Sequence, residues 1–264
     1  MKILVSFAGA IGRHGGRWRA RQRHLGRSAR RHGFDAVRPW TRRRLKRTAF
    51  YREHATLLET PRGAGLWAWK PYIILETLLE APADAWVVYW DVGRGRRGAR
   101  RRGHAFRAPI AALLDWCGSC NGGLLPGVYI PEFGPNRLWT KRDCFVGMGC
   151  DEPRFWEHPQ IQATFSVWRR TPVALDLLHE WLACCTDPRL IGDGPSTCGL
   201  PDLDGFVEHR HDQSILTNLV IRGGLRCYGR PEVSTPDAKD LNALTARIER
   251  DRESGTRPDS SLSL

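Results

Sequence analysis

Five bulky apolar residues in unbroken succession, Trp86 to Trp90, end at the carboxylate of Asp91. With β-branched Val87 and Val88 at its centre, the run fits a strand covered on both faces, the habit of sheets flanked by helices. The flanking sequence agrees. Lys2 to Ala8 is a second apolar run, stopped by Gly9. Gly15 to Gly33 spaces Trp18, Leu25 and Ala29 in a helical way, and Phe34 to Val37 returns to a strand pattern. Tyr51 to Glu59 reads as a short helix and Pro61 to Gly65 as a loop. Pro71 to Leu79 reads as a helix whose proline occupies the first position, where a missing N–H costs nothing.

Beyond Asp91 the pattern continues. Arg94 to Arg107 is a Gly- and Arg-rich loop with seven arginines, followed by an apolar helix from Pro109 to Cys117 and a turn-rich span to Gly134. Ile161 to Arg169 reads as a strand, and Thr171-Pro172 is an N-cap and first-turn proline opening a helix to Cys185. Asp187 to Gly205 is a Gly, Pro and Asp loop, Asp212 to Ile221 a helix, and Leu225 to Tyr228 a short last strand. Strands alternating with helices predict an α/β domain with a mostly parallel central sheet over residues 1–236. The polar stretch 237–264 is expected to be a dispensable tail, with a weak helix through Leu241, Leu244 and Ile248 and a disordered Ser-rich end. In such sheets ligands gather at the carboxyl ends of strands, which puts Asp91 at the predicted site.

Charge narrows the partners. The net charge is +13, and it is uneven: residues 1–110 hold 25 basic and 7 acidic residues, the remainder 16 and 21. Arginine outnumbers lysine 36 to 5, which coding in a GC-rich genome would produce by itself. The alternative is an acidic partner: nucleic acid, anionic lipid headgroups or a phosphorylated small molecule. No apolar stretch reaches the length of a membrane span, and Met1 to Phe7 is followed by glycines and arginines, so the expected location is cytoplasmic. Eight cysteines, all from Cys117 onward, are expected as reduced thiols, and Cys117-x-x-Cys120 lacks the second pair a structural zinc needs.

Three polar clusters interrupt the structural pattern. The first is Gly63-Ala64-Gly65-Leu66-Trp67-Ala68-Trp69-Lys70-Pro71, with Tyr89-Trp90-Asp91-Val92-Gly93 one helix later. The second is Trp139-Thr140-Lys141-Arg142-Asp143, with Pro159-Gln160-Ile161-Gln162 beyond it. The third is Glu208-His209-Arg210-His211-Asp212-Gln213-Ser214, at the start of a helix. Gln160 and Gln162, two apart, point to one face and need polar partners, for which ligand hydroxyls serve. Trp67 and Trp69 suit stacking on a base or sugar face equally with core packing.

Taken in order, these clusters resemble a family of bacterial glycosyltransferases of the polysaccharide-biosynthesis type, from Lys2 to about Pro231. The resemblance implies a GT-A-like, Rossmann-related fold. It also implies an enzyme that passes a sugar from a nucleotide-diphospho sugar to an acceptor hydroxyl. Asp91 would then hold a divalent metal, Mn²⁺ or Mg²⁺, and Lys70 and Arg142 would reach substrate phosphates, while Lys141 would either bind substrate or stand as an ordinary solvated lysine. Gly93 stands where a D-x-D motif has its second carboxylate. His209 and His211, or Asp212, are therefore expected to complete the metal site, or else arginines neutralise the diphosphate without one. Gln213 would face donor or acceptor hydroxyls, and Asp212 is the first choice of general base, with Glu208 second. The arginine-rich stretches would rest the enzyme on an anionic membrane at the inner face. Nucleic-acid binding and a non-catalytic sugar-nucleotide-binding relative are the alternatives, and no nucleic-acid partner is expected because no recognition motif is present.

Overall fold

A computed structural model describes residues 1–9, 15–93, 103–120, 122–129, 134–227 and 241–253. In chain order the main elements are β1 (Lys2–Ala8), α1 (Gly15–Arg31), β2 (Ala36–Thr41), α2 (Trp69–Glu80), β3 (Trp86–Trp90), α3 (Ala111–Cys120), β4 (Leu124–Leu125) and β5 (Val128–Tyr129). They continue with α4 (Arg142–Gly147), β6 (Ile161–Gln162), β7 (Phe165–Arg169), α5 (Pro172–Thr186), α6 (Asp212–Arg222) and α7 (Leu241–Glu253). Five strands form the central sheet in the order β2-β1-β3-β7-β4. β1 runs parallel to β2 and β3, while β7 is antiparallel to both its neighbours. The sheet is thus mixed and mostly parallel, in an α/β architecture.

The doubly apolar strand has the surroundings its sequence demands. Along β3, Val87 and Tyr89 join a core layer with α2, α5 and α6, while Val88 and Trp90 join the opposite layer with α1, α3 and α7. β1 divides the same way, Ile3, Val5 and Phe7 to one side and Leu4 to the other. Ser6 is buried with them, and Gln22 of α1 satisfies this part of the backbone by donating to the carbonyls of Ser6 and Trp40. α5 opens as its sequence prescribes, with the Thr171 hydroxyl accepting from the Ala174 N–H at 3.3 Å.

Four local expectations change. The second strand is Ala36–Thr41 rather than Phe34 to Val37, and it contains Pro39; the strand lies at the sheet edge, where a missing N–H is tolerated. Ile161 to Arg169 breaks at Ala163-Thr164 into β6, paired with β5 in a small second sheet, and β7 in the main one. α2 starts two residues before Pro71, which still lies within the first turn. Leu225 to Cys227 is not a strand, and Tyr228 lies outside the described residues, as do 94–102 of the arginine loop, 237–240, and the Ser-rich end.

The helix expected from Leu241, Leu244 and Ile248 is α7. Its three apolar side chains are buried in the layer with α3, and Asn242 accepts from the Arg107 N–H and donates to the Ala105 carbonyl. It therefore adds to the core. Truncating Leu244 to alanine should lower unfolding free energy by about 2–4 kcal/mol in a urea titration, the usual cost of emptying a buried leucine site; a change under about 0.5 kcal/mol would mark the segment as dispensable.

Candidate functional site

The chain between β2 and α2 reaches the carboxyl end of the sheet through an unusual turn. Gly63, Ala64, Gly65, Leu66 and Trp67 all have positive φ, between 51° and 104°. Three of the five carry side chains that pay about 1–2 kcal/mol each for this left-handed path. Close contacts fix it in place. A methyl group on Gly65 would lie 2.7 Å from the Leu58 Cα, and one on Gly63 would meet the Trp67 ring at 2.3 Å. The Trp69 indole N–H donates to the Gly63 carbonyl at 2.9 Å, and its ring stacks on Phe7 with centroids 3.9 Å apart.

The turn delivers Trp67 between two adjoining cavities that share it and Asp91. The larger, about 430 Å³, is aromatic and lies past the ends of β1 and β3, with Phe7, Gly9, Trp18, Trp69 and Gly93 among its walls. The smaller, about 150 Å³, is polar and is walled by Arg62, Lys70, Arg210, His211, Asp212 and Gln213.

A buried ion pair forms the floor of the polar cavity. Lys70 Nζ lies 2.6 Å from Asp212 Oδ2, each side chain 4% exposed, and also donates to the Ala163 carbonyl at 3.1 Å. Burial works against the Lys70 charge, but Asp212 and then Asp91 outweigh it and hold the ammonium above its ordinary value. Burial pushes Asp212 up to about 6 against the pull of Lys70. The pair is ionised at neutral pH. Asp212 is the first helical residue of α6 rather than its N-cap; that position belongs to His211, which has φ 53° and ψ −120° and makes no side-chain cap.

Asp91 extends β3, its N–H bonded to the Thr164 carbonyl at 2.9 Å, and one carboxylate oxygen accepts from the Tyr89 hydroxyl. Burial and the Asp91 charge drive the Tyr89 hydroxyl well above its usual value, so it stays a donor. Gly93 has a packing reason. His104 stacks on Trp90 and reaches the Asp91 carbonyl at 2.7 Å, and a Cβ on Gly93 would come within 2.7 Å of the His104 ring. A side chain there would have to displace the His104 ring.

The other expected site residues divide sharply. Gln213 lines the polar cavity, braced by the Ala163 N–H and by its own donation to Gln160. Gln160 is 1% exposed and donates to Ser214 and Asn136, so its partners are protein groups rather than ligand hydroxyls. Gln162, in β6, lines neither cavity, and its buried Oε1 lacks a partner among the described residues. Lys141 and Arg142 also lie away from the two cavities. Lys141 is buried against Asp143 at 3.5 Å and donates to the Gly194 carbonyl; Asp143 in turn accepts from the N–H groups of Thr197 and Cys198. Arg142 grips Asp151 and stacks over Trp156.

Glu208 is half-exposed and held between Arg62 at 2.8 Å and Arg210 at 3.0 Å. The Arg62 hydrogen bond, opposed by partial burial and reinforced by the Arg210 charge, keeps its carboxyl below the usual range. It suits fixing two arginines at the cavity rim better than taking up a proton. Arg62 also lies 3.5 Å from Asp193, and Arg210 stacks over Trp139. Neither arginine stood out in a sequence so rich in arginine.

The expected metal donors are largely engaged by partners within the protein. His209 Nε2 faces the Leu190 carbonyl at 2.8 Å and must carry its proton there, while Nδ1 accepts from the Lys141 N–H at 3.3 Å. Both nitrogens are used, and burial holds the ring well below its ordinary pKa. His211 directs Nδ1 at the Ile191 carbonyl, and its ring stacks on Trp67; only Nε2 remains, 3.4 Å from Asp193. Asp212 is engaged by Lys70. Among the described residues no three His, Cys, Asp or Glu side chains converge as metal ligands. Among the described residues no helix is long and apolar enough to cross a membrane.

No protein-family model matches the chain, and no curated protein matches it. The site therefore stands on its own geometry. Replacing Lys70 by methionine leaves Asp212 buried without its cation and should cost about 3–5 kcal/mol. Adding Asp212→Leu in the same chain should recover most of that loss, a non-additivity measured by chemical denaturation of the four proteins of the cycle.

Proposed function

We propose that the protein is a glycosyltransferase that moves a sugar from a nucleotide-diphospho sugar to an acceptor hydroxyl, in the synthesis of a polysaccharide, glycolipid or glycosylated metabolite. The observation that carries this reading is the pair of adjoining cavities at the carboxyl ends of β1 and β3, one aromatic and one polar, sharing Trp67 and Asp91. The aromatic cavity is the size of a small ligand site, and Trp67 and Trp18 offer ring faces to a base. The polar cavity presents Arg62 and Arg210 to the diphosphate, where guanidinium groups meet phosphate oxygens in pairs.

Transfer requires the acceptor oxygen to bond to the anomeric carbon while the bond from that carbon to the phosphate oxygen breaks. The nucleoside diphosphate leaves with the electron pair, and the acceptor proton must go to a base. For an inverting reaction Asp212 fills that role. A carboxylate with a pKa of about 6 is a stronger base than an ordinary aspartate, yet it remains ionised at neutral pH. When Asp212 takes the proton, Lys70 loses the carboxylate that balanced it, just as negative charge grows on the leaving group. Asp91, with one oxygen occupied by Tyr89, has its other oxygen to accept from a donor hydroxyl. No step here passes through a metal.

Nucleoside diphosphate release from a panel of UDP-, GDP- and dTDP-sugars, run with Mn²⁺ and with EDTA, tests the reading. One donor should be turned over in both arms. Asp212→Asn should lower kcat by about 10²–10⁴-fold, the range of a lost general base. Loss of activity in EDTA alone would return Asp91 to metal binding, and no release or binding of any donor at millimolar concentration would overturn the transferase reading.

Two further measurements separate the roles. Because Asp212 acts as the deprotonated form, kcat/KM should fall as pH drops through about 6. Glu208→Gln, which loosens Arg62 and Arg210, should raise the donor KM several-fold and leave kcat within about threefold. A kcat loss matching that of Asp212→Asn would make Glu208 the base instead.

A further inference from the structure

The outward side of α1 carries a row of arginines that the cavities do not use. Arg19, Arg23, Arg27 and Arg30 succeed one another at helical spacing and form a single ridge, and all four are exposed. The opposite side of the helix cannot turn outward, because Gln22, Leu25, Ser28 and Ala29 are buried against the sheet. No Asp or Glu occurs anywhere in the helix.

Arginine-rich coding does not by itself align four arginines along one helix face with no acidic residue in the helix. Several arginines elsewhere have carboxylate partners: Arg137 with Glu157, Arg154 with Glu152, Arg169 with Asp84 and Arg189 with Asp187. Among the described residues the four ridge arginines have none. Like charges at i and i+4 repel one another and weaken a helix, so the row costs stability that no carboxylate among the described residues returns. An anionic partner outside the chain supplies the missing charge.

The shape selects the partner. The ridge is convex and straight, about 16 Å from Arg19 to Arg30 at 1.5 Å per residue, so a flat anionic plane meets all four guanidinium groups at once. A single nucleic-acid strand is gripped in a basic groove with exposed rings for base stacking. The one aromatic residue of α1, Trp18, is instead a wall of the aromatic cavity. We propose that the α1 ridge docks the protein on an anionic lipid surface. Trp18 lies at the start of the ridge, so docking brings the cavity mouth beside the lipid. This inference does not depend on the transferase reading.

The test is co-sedimentation of the full chain with vesicles of phosphatidylcholine alone and with one third phosphatidylglycerol. Binding is expected to the anionic vesicles only and to be lost near 0.5 M salt. Each arginine near such a surface contributes about fivefold. Substituting all four by glutamine should therefore weaken binding at least about a hundredfold, while glutamine at the paired Arg154, Arg169 and Arg189 changes it less than about threefold. Should the fourfold variant fail to fold, the single reversals Arg23→Glu and Arg27→Glu, each at an exposed position, should still weaken binding about tenfold or more. Binding indifferent to lipid charge, or unchanged by the α1 substitutions, overturns the proposal. So does a 20-nucleotide single strand that binds the ridge more tightly than the vesicles at the same salt.

Discussion

The buried contact between Lys70 and Asp212 is the constraint to which the rest of the molecule is fitted. Lys70 belongs to α2 and Asp212 to α6, 142 positions later, and neither charge is tolerable in the core without the other. Their pairing fixes where the two helices begin relative to the end of β3. The left-handed turn ahead of α2 and the strained backbone of His211 ahead of α6 are the two approaches that this placement requires. Trp67 and His211, which end those approaches, stack on each other with centroids 5.7 Å apart. Strain on both sides of one ion pair, at the opening of a cavity, is the pattern expected where geometry has been held for binding.

Around that floor the polar groups sort into two kinds. Asn136, Thr140, Gln160, Ser214 and Gln213 satisfy one another and make a rigid wall, in which Thr140 donates to Asn136 at 2.7 Å and Gln213 to Gln160 at 2.7 Å. The carboxylates Asp193 and Glu208 hold Arg62 at the rim in a partly exposed network that an entering anion competes with. The wall confers shape and the rim confers charge. Gln160 and Glu208 line neither cavity and hold the residues that do, Gln213 and Arg62.

How far the sequence disclosed this follows from the physics of each signal. The bulk of Trp86 to Trp90 announced a strand buried on both faces, because apolar continuity over five residues leaves few other folds. Asp91, Lys70, Asp212 and Gln213 were legible as charged or polar residues set in apolar surroundings. Lys141, Arg142 and Gln160 carried the same signal for a different cause: pairing within the protein. Local pattern does not tell a ligand from an internal partner. Arg62 and Arg210 were hidden by abundance, and the left-handed turn by length, since Gly63-Ala64-Gly65 indicates a bend without giving its hand. The break at Ala163-Thr164, which sends β6 and β7 to different sheets, carries no breaker residue at all.

The antiparallel strand has a consequence for how the chain assembles. β7 lies between β3 and β4, yet it follows β4 in sequence by 40 residues. β2, β1 and β3 can pair as soon as they exist, but the outer edge of β3 then stays open, and β4 has no neighbour in the main sheet. Closure waits for a strand that arrives from far along the chain, and such non-local pairing is slow. Until then the folding chain presents Trp86 to Trp90, its most apolar strand, along an unpaired edge, which makes this interval the one in which it is most open to association with other chains.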